Sequence, residues 1–300
     1  MTAGDGSAWV DCGCGERHWG RFGAAGLLLR SAGGRVLLQL RSARSDHGGT
    51  WGLPGGARDG HESVLAAALR EAAEETGLGA PVRPAGVLLD DHGPWSYATV
   101  VADIDTEIDA VLNWESDDVR WMPATDIRPD PAGPGLPLHP GLAAAWLALA
   151  GAGAAPMVIV DAANVVGSRP DGWWRDRLGA AARLRDRLAS LAGTPIPAGD
   201  LPVAPGTLSA YFPRISLVVE GRARDLAATD GVDVVPAPGS GDDTIVGIAG
   251  TPAAPVRIVV TADRKLRERV RAAGAHVTGP RWLLDRLDQP GAGSPPTRTP

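Results

Sequence analysis

The chain is poor in cysteine, almost without lysine, and has no long apolar run. Its 300 residues include two cysteines, Cys12 and Cys14, and a single lysine, Lys265. Two thiols separated by one residue are too close for an ordinary structural disulfide, so the composition points to a reducing compartment. No uninterrupted apolar stretch reaches the roughly 18 residues that a membrane helix needs. No basic segment leads into an apolar one near the N-terminus, as a secretion signal would require. These absences predict a cytoplasmic chain with no membrane partner. The scarcity of lysine beside abundant Ala, Gly, Pro and Arg is a compositional bias, and it assigns no role to any single arginine.

Basic charge is scarce in the first half only. Residues 1–155 hold 11 Arg against 20 Asp or Glu, a net −9; residues 156–290 hold 17 basic and 15 acidic side chains, a net +2; Arg298 brings the total to −6. The difference in character, and a length that accommodates two cores, predict two domains. Neither half is basic enough for nucleic-acid binding to follow from charge alone.

The most informative stretch is 55–78. Gly55 and Gly56 follow Pro54 and give a loop of free backbone geometry before a helix. Asp59 and Glu62 have the spacing of a capping box, and Gly77 supplies the C-terminal stop. Leu65, Leu69 and Ala72 recur at helical spacing as a core face. Glu71, Glu74 and Glu75 lie on an adjacent stripe, where they repel and raise one another's pKa unless a hard divalent cation neutralises them. A solvated acidic helix end is the plainer reading, but acids near a helix C-terminus oppose the macrodipole. Gly56, Glu62 and Arg70-Glu71-Ala72-Ala73-Glu74-Glu75-Thr76-Gly77-Leu78 fall on the spacing Gx5Ex7REUxEExGU, and the stretch resembles the Nudix box. Ala72 stands where a larger aliphatic residue is usual.

The first 22 residues, with Cys12, Cys14 and His18, read as a small capping segment packed by Trp9, Trp19 and Phe22. Three soft ligands so close together raise zinc as a second reading. It needs a fourth ligand: a distant His, or an acid such as Asp11 or Glu16. Strands are expected at 23–31, 35–41, 82–90, 95–104 and 119–123, and a helix at 141–150. Over 23–150 this order is that of the α/β/α sandwich which the Nudix resemblance implies.

Gly151 to Pro156 reads as a linker. Beyond it, buried strands at 157–160, 215–219, 232–235, 256–260 and 275–278 alternate with helices at 173–191, 264–273 and 280–287. Trp174, Leu178, Ala181, Leu184, Leu188 and Leu191 share one helix face. A parallel α/β sheet over 156–288 is expected, with a disordered tail at 289–300. Ligands gather at the carboxyl ends of parallel strands, where Asp161, Asp242, Asp243 and Asp263 stand. Such acids suit Mg²⁺ or Mn²⁺, but each could also cap a helix. Ile-Val-Asp161-Ala-Ala-Asn164, Gly-Asp242-Asp243-Thr-Ile-Val and Val-Val-Thr-Ala-Asp263 resemble the PIN-like NYN nucleases of the YacP-like group, with Ala162 where that group has glycine. Asp171 or Asp176 is a candidate further ligand. Arg169, Arg175, Trp173 and Trp174 could grip a nucleic-acid strand, or be solvated and packed.

The Nudix resemblance implies Mg²⁺-dependent cleavage of a nucleoside diphosphate linked to another group. The default is a nucleoside triphosphate cleaved to monophosphate and pyrophosphate. It assigns the metal to Glu71, Glu74, Glu75 and the Gly56 carbonyl, and an orienting role to Arg70. A later acid, Glu115, Asp117 or Asp118, is the candidate general base. Asp90, Asp91, His92 and Trp95 are candidates to shape the pocket, with Trp95 a stacking platform and Asn164 a substrate contact in the second domain. The second resemblance implies an RNA-cleaving partner domain. Two alternatives stay open: a nucleotide sensor regulating RNA cleavage, and a 5′-pyrophosphohydrolase of RNA coupled to it.

Overall fold

The computed structural model describes residues 5–129, 136–169, 172–252 and 254–289. Asp171 and the tail from residue 290 lie outside the described residues. The chain divides into two compact units, one of residues 1–152 with 207–209, the other of 153–206 with 210–300.

The first unit opens with a hairpin, β1 (Trp9–Asp11) and β2 (Arg17–Trp19), paired antiparallel. Its mixed sheet follows from β3 (Ala24–Ser31), β4 (Arg35–Arg41), β5 (Trp51–Gly52), β6 (Gly55–Ala57), β7 (Arg83–Asp91), β8 (Ser96–Ile104) and β9 (Ser116–Pro123). The order β7-β8-β3-β4-β5 runs across the sheet; β6 pairs with the start of β3, and β9 with β4. The β3–β8 pair is parallel, and β7–β8 and β4–β9 are antiparallel. Leu27, Leu28 and Leu29 are consecutive and all buried, as a strand covered on both faces requires.

Helix α1 (Val64–Thr76) packs on β3 and β6. It starts later than the capping-box spacing suggests. Ser63 is the N-cap, its side chain accepting from Ala66 N, while Asp59 and Glu62 form a turn ahead of it. The face turned to the sheet also differs. Ala67, Ala68, Ala72, Glu75 and Thr76 are buried, and Leu65 and Leu69 only half-buried. Small side chains let the helix sit close to the glycine-rich β6, and that approach draws the glutamate stripe inward. Ala72 is part of this close contact. Gly77, at φ 72°, ends the helix in the left-handed region, with its N–H on Ala73 O. A second helix, α2 (Pro140–Ala150), buries Leu142, Trp146 and Leu149. The aromatic packing expected of the N-terminal segment is looser than foreseen, since Trp9 and Trp19 meet edge to face and stay about half exposed.

The second unit contains β10 (Met157–Asp161), α3 (Ala162–Gly167), α4 (Arg177–Ala192), β11 (Ile196–Pro197), β12 (Ala210–Tyr211), β13 (Arg214–Val219), β14 (Val232–Pro236), α5 (Gly241–Ala249), β15 (Arg257–Val260), α6 (Arg264–Ala272), β16 (His276–Thr278) and α7 (Pro280–Leu287). Five of its strands form a parallel sheet in the order β14-β13-β10-β15-β16. Val158, Ile159 and Val160 are fully buried at its centre. The helix expected from residue 173 begins at Arg177, because Asp176 caps it by accepting from Gly179 N at 2.9 Å. Trp174 and Leu178 therefore fall outside the buried face of Ala180, Ala181, Leu184, Leu188 and Leu191, and are exposed.

Candidate active site and a second acidic cavity

In the first unit the site is built where β6 meets α1. Glu75 is 3% exposed, and its Oε2 accepts from Gly55 N at 2.7 Å and Gln39 Nε2 at 3.2 Å. Gln39 is itself buried on β4, and its Oε1 accepts from Ser116 Oγ at 2.9 Å. Burial pushes the Glu75 carboxyl up to about 8, against the pull of the Gly55 N–H, and Glu71 and Glu115 push it the same way. Burial likewise raises Glu71, with the Arg70 guanidinium working against it. The crowded stripe is thus a minor cause of these shifts, and loss of water the major one.

Arg70 is the organiser. Its Nε donates to Glu62 Oε1 at 2.7 Å, its Nη2 to Glu62 Oε2 and Ala57 O at 3.0 Å each, and its Nη1 to Glu71 Oε1 at 2.8 Å. Glu74 Oε1 lies 3.8 Å from Nη1 and is the most exposed of the three box glutamates. Glu62, held well below the usual carboxylate range by Arg70, is the far anchor of this fork. Gly56 faces Glu71 across the gap. A Cβ at Gly56 would stand 2.7 Å from the Glu71 carboxylate, closer than any side chain can approach. Three carboxylates beside a bare backbone unit form a hard oxygen donor set, which fits a divalent cation such as Mg²⁺.

Of the three later acids, Glu115 reaches this cluster. Its carboxylate acts on both Glu71 and Glu75. The backbone places it there: Glu115 N donates to Asn113 Oδ1 at 2.9 Å, Asn113 Nδ2 donates to Glu74 O at 3.3 Å, and Glu115 O accepts from Ser42 N at 2.8 Å. Asp117 instead accepts from Ala43 N at 3.2 Å, and Asp118 pairs with Arg120. Trp95 is not a free platform. His18 stacks on it at 4.0 Å between centroids, and its Nε1 donates to Trp19 O. His92 is drawn to the same place, while Asp90 pairs with His92 and Asp91 caps the turn at Gly93. Gln39 and Ser116 escaped the sequence reading, for nothing in a strand pattern marks a buried amide as a carboxylate's partner.

In the second unit an open cavity of about 250 Å³ lies at the carboxyl ends of the central strands. Asp161, Asn164, Glu220, Asp242 and Asp263 line it. Asp161 Oδ1 caps α3 through Asn164 N at 3.1 Å, and its Oδ2 accepts from Thr261 Oγ1 at 2.9 Å. Asp263 Oδ1 caps α6 through Leu266 N at 2.8 Å. Capping therefore accounts for part of what these two do. Asp242 makes no such cap; burial raises its carboxyl, and Asp263 adds to the shift. Burial raises Asp161 too, with Asp242 and Glu220 adding. Asn164 Oδ1 accepts from Ala262 N at 2.7 Å.

Asp243 is a correction: it does not line the cavity but is exposed and paired with Arg269. Glu220 is the residue sequence reasoning missed, though it directly follows β13 and obeys the strand-end logic used for Asp161. It accepts from Gly241 N at 3.0 Å. Asp176 is occupied as the α4 cap, and Arg169 is paired with Asp288. Trp173 and Trp174 pack edge to face at 6.3 Å.

Residues 20–138 match the NUDIX domain. The chain is 46% identical over 157 residues to a Mycobacterium tuberculosis protein named "Putative 8-oxo-dGTP diphosphatase 3", covering 49% of this chain and 70% of that protein. It is 43% identical to RenU, a Nudix hydrolase of M. smegmatis of known structure, over 49% of this chain and 93% of that one, with a TM-score of 0.43. The YacP protein of Bacillus subtilis is similar at 18% identity over 44% of this chain and 74% of that one, with a TM-score of 0.33. With 46% identity over 70% of the mycobacterial protein and the NUDIX match over its box residues, the chain belongs to the Nudix family, as a hydrolase acting on phosphoanhydride bonds.

Proposed function

We propose that the first unit, as a domain of about residues 23–150, is a nucleoside triphosphate pyrophosphohydrolase that releases a monophosphate and pyrophosphate. The observation that carries this reading is the buried Glu71–Glu75 pair facing Gly56, with Glu115 beside it. Glu71, Glu74, Glu75 and the Gly56 carbonyl would hold Mg²⁺, which when bound neutralises phosphate charge and makes an attacking water more acidic. Arg70 locks Glu71 in place through the Glu62 fork. Glu115 is the general base: it borders the cleft and belongs to a loop rather than to the box helix. The oxidised guanine deoxynucleotide in the mycobacterial relative's name is the first substrate to test. The test is Mg²⁺-dependent pyrophosphate release from a panel of ordinary and oxidised nucleoside triphosphates, nucleotide sugars, dinucleotides and 5′-triphosphate RNA. Binding without turnover across the panel would sink the enzymatic reading of this substrate class in favour of a sensor.

A second activity is proposed for the other unit, as a PIN-like domain of about residues 156–288: metal-dependent cleavage of RNA. Four carboxylates, Asp161, Glu220, Asp242 and Asp263, open on one cavity where a parallel sheet collects ligands. Asp242 supports this most, since capping does not account for it. Incubation of single-stranded RNA with the protein and Mg²⁺ or Mn²⁺ tests it. RNA left intact by the wild type, or cut equally well by Asp242→Asn, would remove the idea.

A further inference from the structure

Four soft ligands converge where the β1–β2 hairpin meets the β7–β8 turn. Cys12, Cys14, His18 and His92 each offer a ligand atom, and these atoms all lie within 4.8 Å of one another. Both cysteines are free thiols. Three of the residues come from the β1–β2 hairpin. Its tip folds as a tight knuckle, with Cys12 N donating to Glu16 O at 3.0 Å and Gly15 N to Cys12 O at 3.1 Å, and Gly15 at φ 91°. The fourth, His92, arrives from the turn between β7 and β8, some eighty residues later in the chain. The acids near the hairpin are not needed, and Asp11 pairs with Arg17 instead.

The geometry points to a structural zinc site formed by Cys12, Cys14, His18 and His92, which fastens the N-terminal hairpin to the β7–β8 turn. Two thiolates and two imidazoles are a donor set for tetrahedral zinc, unlike the all-oxygen set around Glu71 and Glu75. Zinc–sulfur and zinc–nitrogen bonds of about 2.3 and 2.0 Å place ligand atoms roughly 3.3–3.8 Å apart around a tetrahedron. Cys14 Sγ is already 3.2 Å from His18 Nε2, so closure needs only small movements. The surroundings are those of a supported site. Asp90 Oδ1 stands 3.2 Å from His92 Nε2, as a carboxylate stands when it orients a ligating imidazole through the nitrogen away from the metal. Trp95 fixes the plane of His18 by stacking at 4.0 Å.

Four protein ligands leave no open position, so the role is mechanical rather than catalytic. Beside the four ligands, the hairpin is held by the His18–Trp95 stack and by Trp95 Nε1 on Trp19 O. Its tryptophans are half exposed, and its other end is tied by Gly6 N on Asp59 Oδ1 at 2.9 Å and Gly60 N on Asp5 Oδ1 at 3.0 Å. Those ties reach the turn that precedes α1, so the clamp would brace the segment running from the β7–β8 turn to the start of the box helix.

The test is elemental analysis of the full chain, as purified and after incubation with zinc followed by dialysis against excess Mg²⁺. About one zinc per chain is expected. Cobalt in its place should give the visible spectrum of a tetrahedral ion with a thiolate charge-transfer band. Cys14→Ser and His92→Ala should each lose the bound equivalent, and chelation of the wild type should lower its thermal midpoint. His18→Ala provides a variant with both thiols intact if the cysteine change disturbs folding. No retained zinc under either condition would overturn the proposal. So would an octahedral cobalt spectrum, or undiminished zinc in the Cys12→Ser/Cys14→Ser double variant. Failure here would leave the reading of the glutamate cleft untouched.

Discussion

Glu75 Oε2 receives the Gly55 N–H at 2.7 Å from inside the protein, at a carboxylate with almost no exposure to water. Burial moves the group from 4.5 to about 8. Between those values the folded chain keeps a proton that the unfolded chain has released, so this group's contribution to stability is present at low pH and is lost as pH rises through about 8. A divalent cation reverses the cost by pairing with the charge. Without metal, the thermal midpoint should fall as pH is raised from 5 to 8.5, and Mg²⁺ should raise it more at the upper end. Glu75→Gln should make the slope shallower, leaving what the other raised carboxyls, Glu71, Asp161 and Asp242, contribute, and should cut turnover by ~10²-fold or more. An unchanged slope in that variant would disprove the assignment.

Gly56 approaches Glu71 as only a glycine can. A Cβ there would lie 2.7 Å from the carboxylate, so Gly56→Ala must push either the β6 backbone or Glu71 away. The residue is half-buried on a short strand. We expect turnover to fall by about 10²-fold, the order of loss from misplacing a catalytic group by an ångström. Mg²⁺ titration should show weaker metal dependence, with circular dichroism unchanged. Wild-type kinetics in this variant would mean that Glu71 does not act from where it stands.

Among the late acids, Glu115→Gln should lower kcat by 10²–10⁴-fold, the usual range for a general base, with little change in KM. Asp117→Asn and Asp118→Asn should stay within about threefold, because those side chains serve Ala43 N and Arg120. A fall in kcat with KM held separates a base from a residue that only binds substrate. Equal effects of all three substitutions would mean that the loop as a whole matters, and not Glu115.

How much of this was legible beforehand depends on sequence distance. The box glutamates and Arg70 lie within one helix, where the 3.6-residue period fixes their relative placement, and they could be read directly. The neighbours that give Glu75 its character, Gln39 and Ser116, come from other strands, and only the folded sheet unites them. The N-cap is Ser63 rather than Asp59, whose Oδ1 accepts from Gly6 N, a contact 53 residues away. Leu65 and Leu69, large as they are, stay only half-buried. Ala68 and Ala72 face the sheet, and their small side chains bring the helix and its carboxylates close to it.

The second unit shows the limit of the same logic at one position. Asp242 and Asp243 are adjacent at the start of α5, so they differ by roughly 100 degrees around the helix. One rotation faces Asp161 and Asp263, and the other faces Arg269. If the cavity cleaves RNA with a divalent cation, Asp161→Asn, Asp242→Asn and Asp263→Asn should each reduce cleavage by ~10²-fold or more. Asp243→Asn should remain within a few-fold of wild type. Glu220→Gln is the more telling variant. Its carboxylate accepts from Gly241 N, and an amide oxygen can keep that bond. α5 should therefore stay in place while a negative charge leaves the cavity, and a loss of cleavage with an unchanged melting curve would assign the effect to charge. A Glu220→Gln variant as active as wild type, beside an inactive Asp243→Asn, would invert the arrangement and place the reactive acids on the Arg269 side.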